Sequence, residues 1–134
     1  MSQENVELTR KAFDAWNRGD LESAAEVISP EWEWHPARLY PGTDAVYHGL
    51  EGYARFWNTF REPWESVHID LERIEDLGDR VLALMMFYAK GKGSGVDVTS
   101  EYANVFTFRD GLVVYQVGYG DWGSALKAVG LGDG

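Results

Sequence analysis

The stretch ANVFTFRDGLVVYQVGYGD, residues Ala103–Asp121, contains two largely apolar runs joined by the tripeptide RDG, and the first run completes an alternation of apolar and polar residues that begins at Val96. A period of two is typical of strands with one buried face. RDG supplies the aspartate and glycine that a tight hairpin turn needs for positive φ. The stretch therefore predicts two antiparallel strands, Val96–Phe108 and Leu112–Tyr119.

Two further strands are predicted before this hairpin. Val67–Ile74 alternates, and Arg80–Lys90 is almost continuously apolar. The separators LGDR and KGKGSG carry the glycines and aspartates of hairpin turns. Neighbouring strands should therefore pair antiparallel, as a four-stranded meander.

The N-terminal half shows the period of amphipathic helices instead. Its predicted elements are a helix over Gln3–Arg18, a second from a cap at Asp20 through Ile28, a short strand Glu31–His35, an ordered loop Ala37–Tyr47 and a third helix over about Leu50–Phe60. A short closing helix is predicted over Trp122–Val129. These elements predict an α+β fold in which three N-terminal helices pack on one face of a curved antiparallel sheet, leaving a hollow.

Length and composition limit the possible functions. The chain has 134 residues with 45% hydrophobic content, which suits a single domain over residues 1–134. A net charge of -10 would repel phosphates, so neither nucleic acid nor an anionic membrane is expected as a partner. There is no cysteine, and His48 and His68 have no second ligand at metal spacing, so no metal or cofactor is predicted. The absence of a signal-like or membrane-spanning apolar run predicts a soluble cytoplasmic protein.

Five segments resemble the SnoaL-like branch of the nuclear transport factor 2-like (NTF2-like) superfamily. They are AFDAWNRGDLESAAEVISPEWEW, HGLEGYARFW, GKGSGVDV, ANVFTFRDGLVVYQVGYGD and ALKAVGL. The resemblance implies a cone-shaped α+β barrel with a mostly apolar pocket, forming homodimers through the outer sheet face. Relatives include polyketide cyclases, steroid isomerases, epoxide hydrolases and dehydratases, so the residues of the site must decide the function.

The resemblance also implies roles for individual residues. EWHP lies where the steroid isomerases carry an acidic general base before a proline, which places His35 at the base position. Asn104 falls near their oxyanion-hole carboxylic acid, and Trp16 or Phe13 falls near their tyrosine donor. Asp121 resembles the aspartate that closes the last strand in the cyclases. Because these identities depart from the isomerase pattern, steroid isomerisation itself is not predicted.

His35 could accept a proton at neutral pH if apolar walls from Trp32, Trp34 or Tyr40 kept it neutral. The alternative is a histidine that hydrogen-bonds a backbone carbonyl at the barrel mouth. Strand alternation groups the two tryptophans on one face and His35 with Glu31 and Glu33 on the other. The role of His35 therefore depends on which face lines the hollow.

Asn104 and Tyr102 share a face of their strand and could donate hydrogen bonds to a developing enolate oxygen. The alternative is that the polar groups of the strand satisfy each other. Asp121 could orient His35 or relay a proton, but it equally suits the N-cap of the closing helix. Both interpretations stay open at the level of the sequence.

A ligand-binding set completes the site hypothesis: Trp16, Tyr40, Tyr53, Trp57, Tyr102 and Tyr119. The hypothesis is an apolar cone that binds a small hydrophobic carbonyl compound, with proton abstraction leading to isomerisation or aldol-type cyclisation. The alternatives are a non-catalytic module that binds a small ligand and a dimeric module that binds another protein, its cone filled by its own aromatic side chains.

Overall fold

The computed structural model describes residues 2–37 and 46–132. Its elements in chain order are α1 (Ser2–Arg18), α2 (Leu21–Ala25), β1 (Ile28–His35), β2 (Tyr47–His48), α3 (Gly49–Arg61), β3 (Trp64–Asp76), β4 (Arg80–Gly91), β5 (Asp97–Arg109), β6 (Leu112–Tyr119) and α4 (Trp122–Ala128). The strands of the described residues form one six-stranded sheet in the order β2-β1-β6-β5-β4-β3. The predicted α+β class is confirmed.

Strands β3 to β6 form the predicted antiparallel meander. The β5–β6 turn places Asp110 at φ 54° and Gly111 at φ 79°. Two successive residues with positive φ match the right-handed twist of the strands that they join. Aspartate and glycine adopt this conformation at low cost, which explains why RDG marks the turn in the sequence.

The sheet is mixed, because β1 pairs with β6 in parallel. Trp34 lies opposite Gln116, and His35 lies opposite Val117. The two strands of a parallel pair are joined by a long connection, so no short turn motif in the sequence indicates that they pair. The antiparallel prediction holds for the meander and does not extend to this pair.

The N-terminal half departs from prediction at two further places. Helix α2 ends at Ala25 instead of Ile28, because the chain turns there to join the sheet, where the Val27 carbonyl accepts from the Val113 amide at 2.7 Å. The strand β2, Tyr47–His48, pairs antiparallel with β1 at the end of the predicted loop. Two residues are too few to show a period in the sequence.

Helices pack on both faces of the sheet. The inner face packs against α1 and α3 and carries the larger apolar cluster. The outer face packs against α4 through a smaller cluster, whose buried members are Leu82, Leu84, Ala103, Val105 and Ala125. The Trp122 indole of α4 donates to the backbone carbonyls of Met85 and Tyr102, at 3.0 and 3.2 Å. The closing helix is therefore bonded to the two central strands of the meander.

Two side chains hold the helices of the inner face in place. Asn17 of α1 bonds both backbone groups of Ile69 in β3, donating at 2.9 Å and accepting at 2.8 Å. The Arg61 guanidinium lies over the rings of Trp16 and Trp57 and donates to the Trp16 carbonyl at 3.0 Å. Arg61 thus binds the last turn of α1 to the end of α3.

No helix within residues 2–37 and 46–132 is long and apolar enough to cross a membrane. The same residues contain no group of three or more histidine, cysteine, aspartate or glutamate side chains able to hold a metal ion.

Leu82 is completely buried between the outer face of β4 and α4. We expect Leu82→Ala to lower the free energy of unfolding by about 2–5 kcal/mol, since it removes a packed side chain and leaves a cavity. Chemical denaturation measures the change. Leu50→Ala, at a position that is 47% exposed, is the control, and equal effects of the two substitutions would contradict the outer core.

Candidate functional site

A cavity of about 900 Å³ lies between the inner face of the sheet and the helices α1 and α3. Its walls are largely aromatic. The aromatic residues among those described as lining it are Phe13, Trp16, Trp32, Trp34, Tyr53, Phe56, Phe60, Trp64, Phe87, Tyr102, Phe106 and Phe108. Large, rigid rings at so many positions give a ligand extensive apolar contact with little loss of side-chain freedom.

Few polar side chains interrupt these walls. Those described are Thr9, Tyr53, Thr59, Glu62, Ser100, Tyr102, Asn104 and Gln116. Within this described set, Glu62 is the one residue with a formal charge, and it is exposed at the end of α3. The interior of the cavity is therefore neutral where it is described.

Strand β5 supplies one wall by simple alternation. Ser100, Tyr102, Asn104 and Phe106 line the cavity, whereas Ala103 and Val105 pack on the outer face. The carboxamide of Asn104 has no hydrogen-bond partner among the described residues. It therefore offers both donor and acceptor groups to a molecule in the cavity.

Asn104 stands beside a very close contact between β6 and β1. A Cβ atom built on Gly118 would lie 2.8 Å from Cη2 of Trp34, 3.0 Å from the Ala37 amide nitrogen and 3.3 Å from Oδ1 of Asn104. Only glycine leaves room for this arrangement. Gly118 therefore sets the positions of the Trp34 ring and the Asn104 carboxamide.

Trp34 is 5% exposed, and its Nε1 is a buried N–H group without a hydrogen-bond partner among residues 2–37 and 46–132. Leaving such a donor unpaired costs about 1–3 kcal/mol. Because this N–H is fully enclosed, it is an unsatisfied donor inside the packed wall and does not face the open cavity.

Gln116 is a member of the site that sequence reasoning missed. It is 9% exposed, lines the cavity, and accepts a hydrogen bond from Nε1 of Trp32 at 3.1 Å. The signal was present, because alternation along YQVGYG places this polar residue on the same face as Gly118. A polar side chain at an inward position requires a partner.

The ligand-binding prediction for Trp16 and Tyr53 falls on residues that line the cavity. The Trp16 indole donates to the Tyr53 hydroxyl at 3.0 Å. Burial raises the pKa of Tyr53, so its hydroxyl stays protonated and can donate to a ligand rather than act as a base. Trp57 is buried behind this pair, its ring 4.2 Å from that of Trp16, and is not among the lining residues.

His35 lies outside the described cavity wall. Trp32 and Trp34 point into the cavity, and alternation turns His35 to the other face of β1. There its Nε2 contacts the Glu33 carboxylate at 2.5 Å, and its ring lies 5.3 Å from that of Tyr115. The His35 side chain is therefore not part of the described cavity wall, and its role as a base stays a prediction.

Asp121 and Tyr119 also lie away from the described cavity wall. Asp121 caps α4, accepting from the Ser124 amide at 2.8 Å and the Ser124 hydroxyl at 3.0 Å. Tyr119 packs against the outer cluster beneath α4. Tyr40 belongs to the segment outside the described residues, so its predicted role stays a prediction.

Comparisons with known proteins identify the family and the fold of the chain. The sequence profile of a family described as a SnoaL-like domain matches residues 9–116. Among curated proteins there is no significant match.

Solved structures are similar over nearly the whole chain. An NTF2-like protein of unknown function from Burkholderia pseudomallei K96243 is 20% identical over 96% of both chains, with a TM-score of 0.80. TerC, co-crystallised with polyporic acid, is 17% identical over 95% of this chain and 98% of its own, with a TM-score of 0.77. A protein with a ketosteroid isomerase-like fold from Catenulispora acidiphila DSM 44928, in complex with trimethylamine, is 17% identical over 93% of both chains, with a TM-score of 0.74. At these identities the likeness establishes the fold.

Gly118→Ala tests the close contact beside Asn104. The added methyl group would overlap the Trp34 ring, so we expect a loss of about 1–3 kcal/mol in the free energy of unfolding. Gly123→Ala is the matched control, since a Cβ there meets nothing closer than 3.5 Å. Denaturant titration distinguishes them, and a Gly118→Ala protein as stable as Gly123→Ala would refute the steric argument.

The Asp121 cap predicts a pH dependence of stability. Its hydrogen bonds to Ser124 lower the pKa of Asp121 below its ordinary value of 3.8. The stabilisation by the charged cap is therefore complete above that pH and is lost as the pH falls through the lowered pKa. An asparagine side chain at this position would still cap the helix without titrating. In acid denaturation, the stability difference between the wild type and Asp121→Asn should shrink below about pH 4; a constant difference would contradict the cap.

Proposed function

The chain belongs to the SnoaL-like family of the NTF2-like superfamily, and from that premise we propose that it binds a small, largely aromatic carbonyl compound in the cavity. The carbonyl oxygen accepts a hydrogen bond from the Asn104 carboxamide. The observation that carries the proposal is that this carboxamide, in a wall of aromatic rings, has no partner among the described residues.

The size and lining of the cavity support binding of a molecule with rings. Its volume of about 900 Å³ falls within the roughly 300–1,000 Å³ of typical ligand sites. An open volume of this size disfavours the alternative of a protein-binding module whose cone is filled by its own side chains. The fold also accommodates small molecules in relatives, as the complexes with polyporic acid and trimethylamine illustrate.

The polar groups of the wall favour a carbonyl rather than a hydrocarbon. A hydrogen bond to Asn104 is stronger in an apolar surrounding than in water. The Trp34 ring stands in the same wall, and its Cη2 and the Oδ1 of Asn104 both lie close to Gly118. The Asn104 carboxamide can donate, and a carbonyl oxygen has two lone pairs to accept.

Charge favours a neutral ligand. The chain carries a net charge of -10, and the charged residue among the described lining is the Glu62 carboxylate. An anion would be repelled by both and would lose its hydration on entering an apolar cavity. The proposal concerns binding, and neither His35 nor Asp121 has a part in it.

Deoxybenzoin and bibenzyl form a suitable probe pair, since they share a carbon skeleton and only deoxybenzoin has a carbonyl oxygen. Quenching of tryptophan fluorescence reports binding. We expect Asn104→Leu, which keeps the volume and removes the amide, to lower the ratio of deoxybenzoin to bibenzyl affinity by about tenfold, or about 1.4 kcal/mol. Using the ratio cancels the different hydration of the two probes.

Thr99→Val is the matched control, since Thr99 is exposed on the outer face of the same strand. It should leave both affinities unchanged. Failure of the wild type to bind either probe, or an unchanged affinity ratio in Asn104→Leu, would refute the proposed function.

A further inference from the structure

Gln116 is a buried polar side chain of the cavity that carbonyl binding at Asn104 does not use. An indole N–H can donate but cannot accept. The hydrogen bond from Trp32 therefore fixes Oε1 as the end of the carboxamide that faces Trp32. The amino group Nε2 must then occupy the other position, so the orientation of this amide follows from its partner.

The Nε2 amino group of Gln116 has no hydrogen-bond partner among the described residues. Among the described residues, Trp34 Nε1 is the side-chain atom that is both fully enclosed and without a hydrogen-bond partner. The Gln116 amino group also lacks a partner, so it is accessible and not fully enclosed. Because Gln116 lines the cavity and is 9% exposed, the space that its amino group reaches is the cavity. Gln116 therefore presents donors, and its acceptor is already occupied.

Strand register brings this donor close to Asn104. Gln116 lies opposite Phe106, and Gly118 lies opposite Asn104. Gln116 and Asn104 are therefore diagonal neighbours on adjacent strands, on one face, at a typical spacing of roughly 7–8 Å. At this spacing, the two side chains can bring their amide groups close enough together to bond two oxygens of one ligand, carried on adjacent or alternate carbon atoms.

We propose that the cavity selects ligands with two acceptor oxygens on one edge, such as a vicinal or 1,3-dicarbonyl, held by Asn104 and Gln116. Gln116 is the specificity-determining residue for the second oxygen. This inference rests on the proposed function, which requires Asn104 and the first oxygen alone. Trp32 acts as a positioning residue, because its hydrogen bond turns the amino group of Gln116 towards the ligand.

Benzil extends the probe pair, since it has the carbon skeleton of deoxybenzoin and a second, adjacent carbonyl. In the wild type and in Gln116→Met, tryptophan fluorescence titration gives the ratios of benzil to deoxybenzoin affinity and of deoxybenzoin to bibenzyl affinity. We expect Gln116→Met to lower the first ratio by about tenfold and to leave the second within about twofold, since removing one donor affects one oxygen. Tyr115→Phe, at an exposed position on the other face of β6, should change neither.

Gln116→Met leaves the Trp32 donor unpaired and could prevent folding. The double variant Trp32→Phe, Gln116→Met removes both partners, so it carries the same test with the same expected ratios. The inference would be overturned if Gln116→Met changed both ratios equally or left the benzil to deoxybenzoin ratio unaltered. Carbonyl binding at Asn104 would still stand in either case. A wild type that binds none of the three probes would overturn both proposals.

Discussion

The parallel pairing of β1 with β6 is the constraint on which the cavity depends. It places a strand from the N-terminal half beside the last strand of the meander, with Trp34 opposite Gln116. The Trp32 indole can therefore reach the Gln116 carboxamide, and the Trp34 ring can lie against Gly118. The two tryptophans of β1, Gln116 of β6 and Asn104 of β5 therefore share one wall. Without this pairing, the tryptophans and the two carboxamides would belong to separate parts of the molecule.

Aromatic contacts explain how a cavity of this size stays open. The Phe60 ring of α3 contacts Trp16 of α1 at 5.9 Å and Phe87 of β4 at 5.3 Å, and Phe87 contacts Tyr102 of β5 at 5.7 Å. The chain of rings runs from helix to helix and on to the sheet. Tilted and edge-to-face pairs of this kind are favourable without requiring the walls to close on each other. Rings held by such contacts have few rotamers, so they hold the walls apart.

Local patterns predicted the meander, the helices and the residues that share the inner face of β5, because hairpin turns and strand periods depend on residues that are close in the sequence. Alternation correctly grouped Ser100, Tyr102, Asn104 and Phe106, which all line the cavity. Alternation also separated His35 from Trp32 and Trp34, but the sequence alone could not say which face of β1 is the inner one. That choice depends on the pairing with β6, which joins residues more than eighty positions apart. The partner of Gln116 was unpredictable for the same reason.

The contact between Gly118 and Trp34 links two positions that are distant in the chain. Because Gly118 has no side chain, the Trp34 indole can lie directly against the backbone of β6. A larger residue at position 118 would need a smaller one at position 34 and also a shift of the backbone at Ala37, whose amide nitrogen would lie 3.0 Å from the added Cβ. The exchange would move bulk from one strand to its neighbour. Related proteins that make this paired exchange would keep the architecture while reshaping the hollow, so the two positions should co-vary.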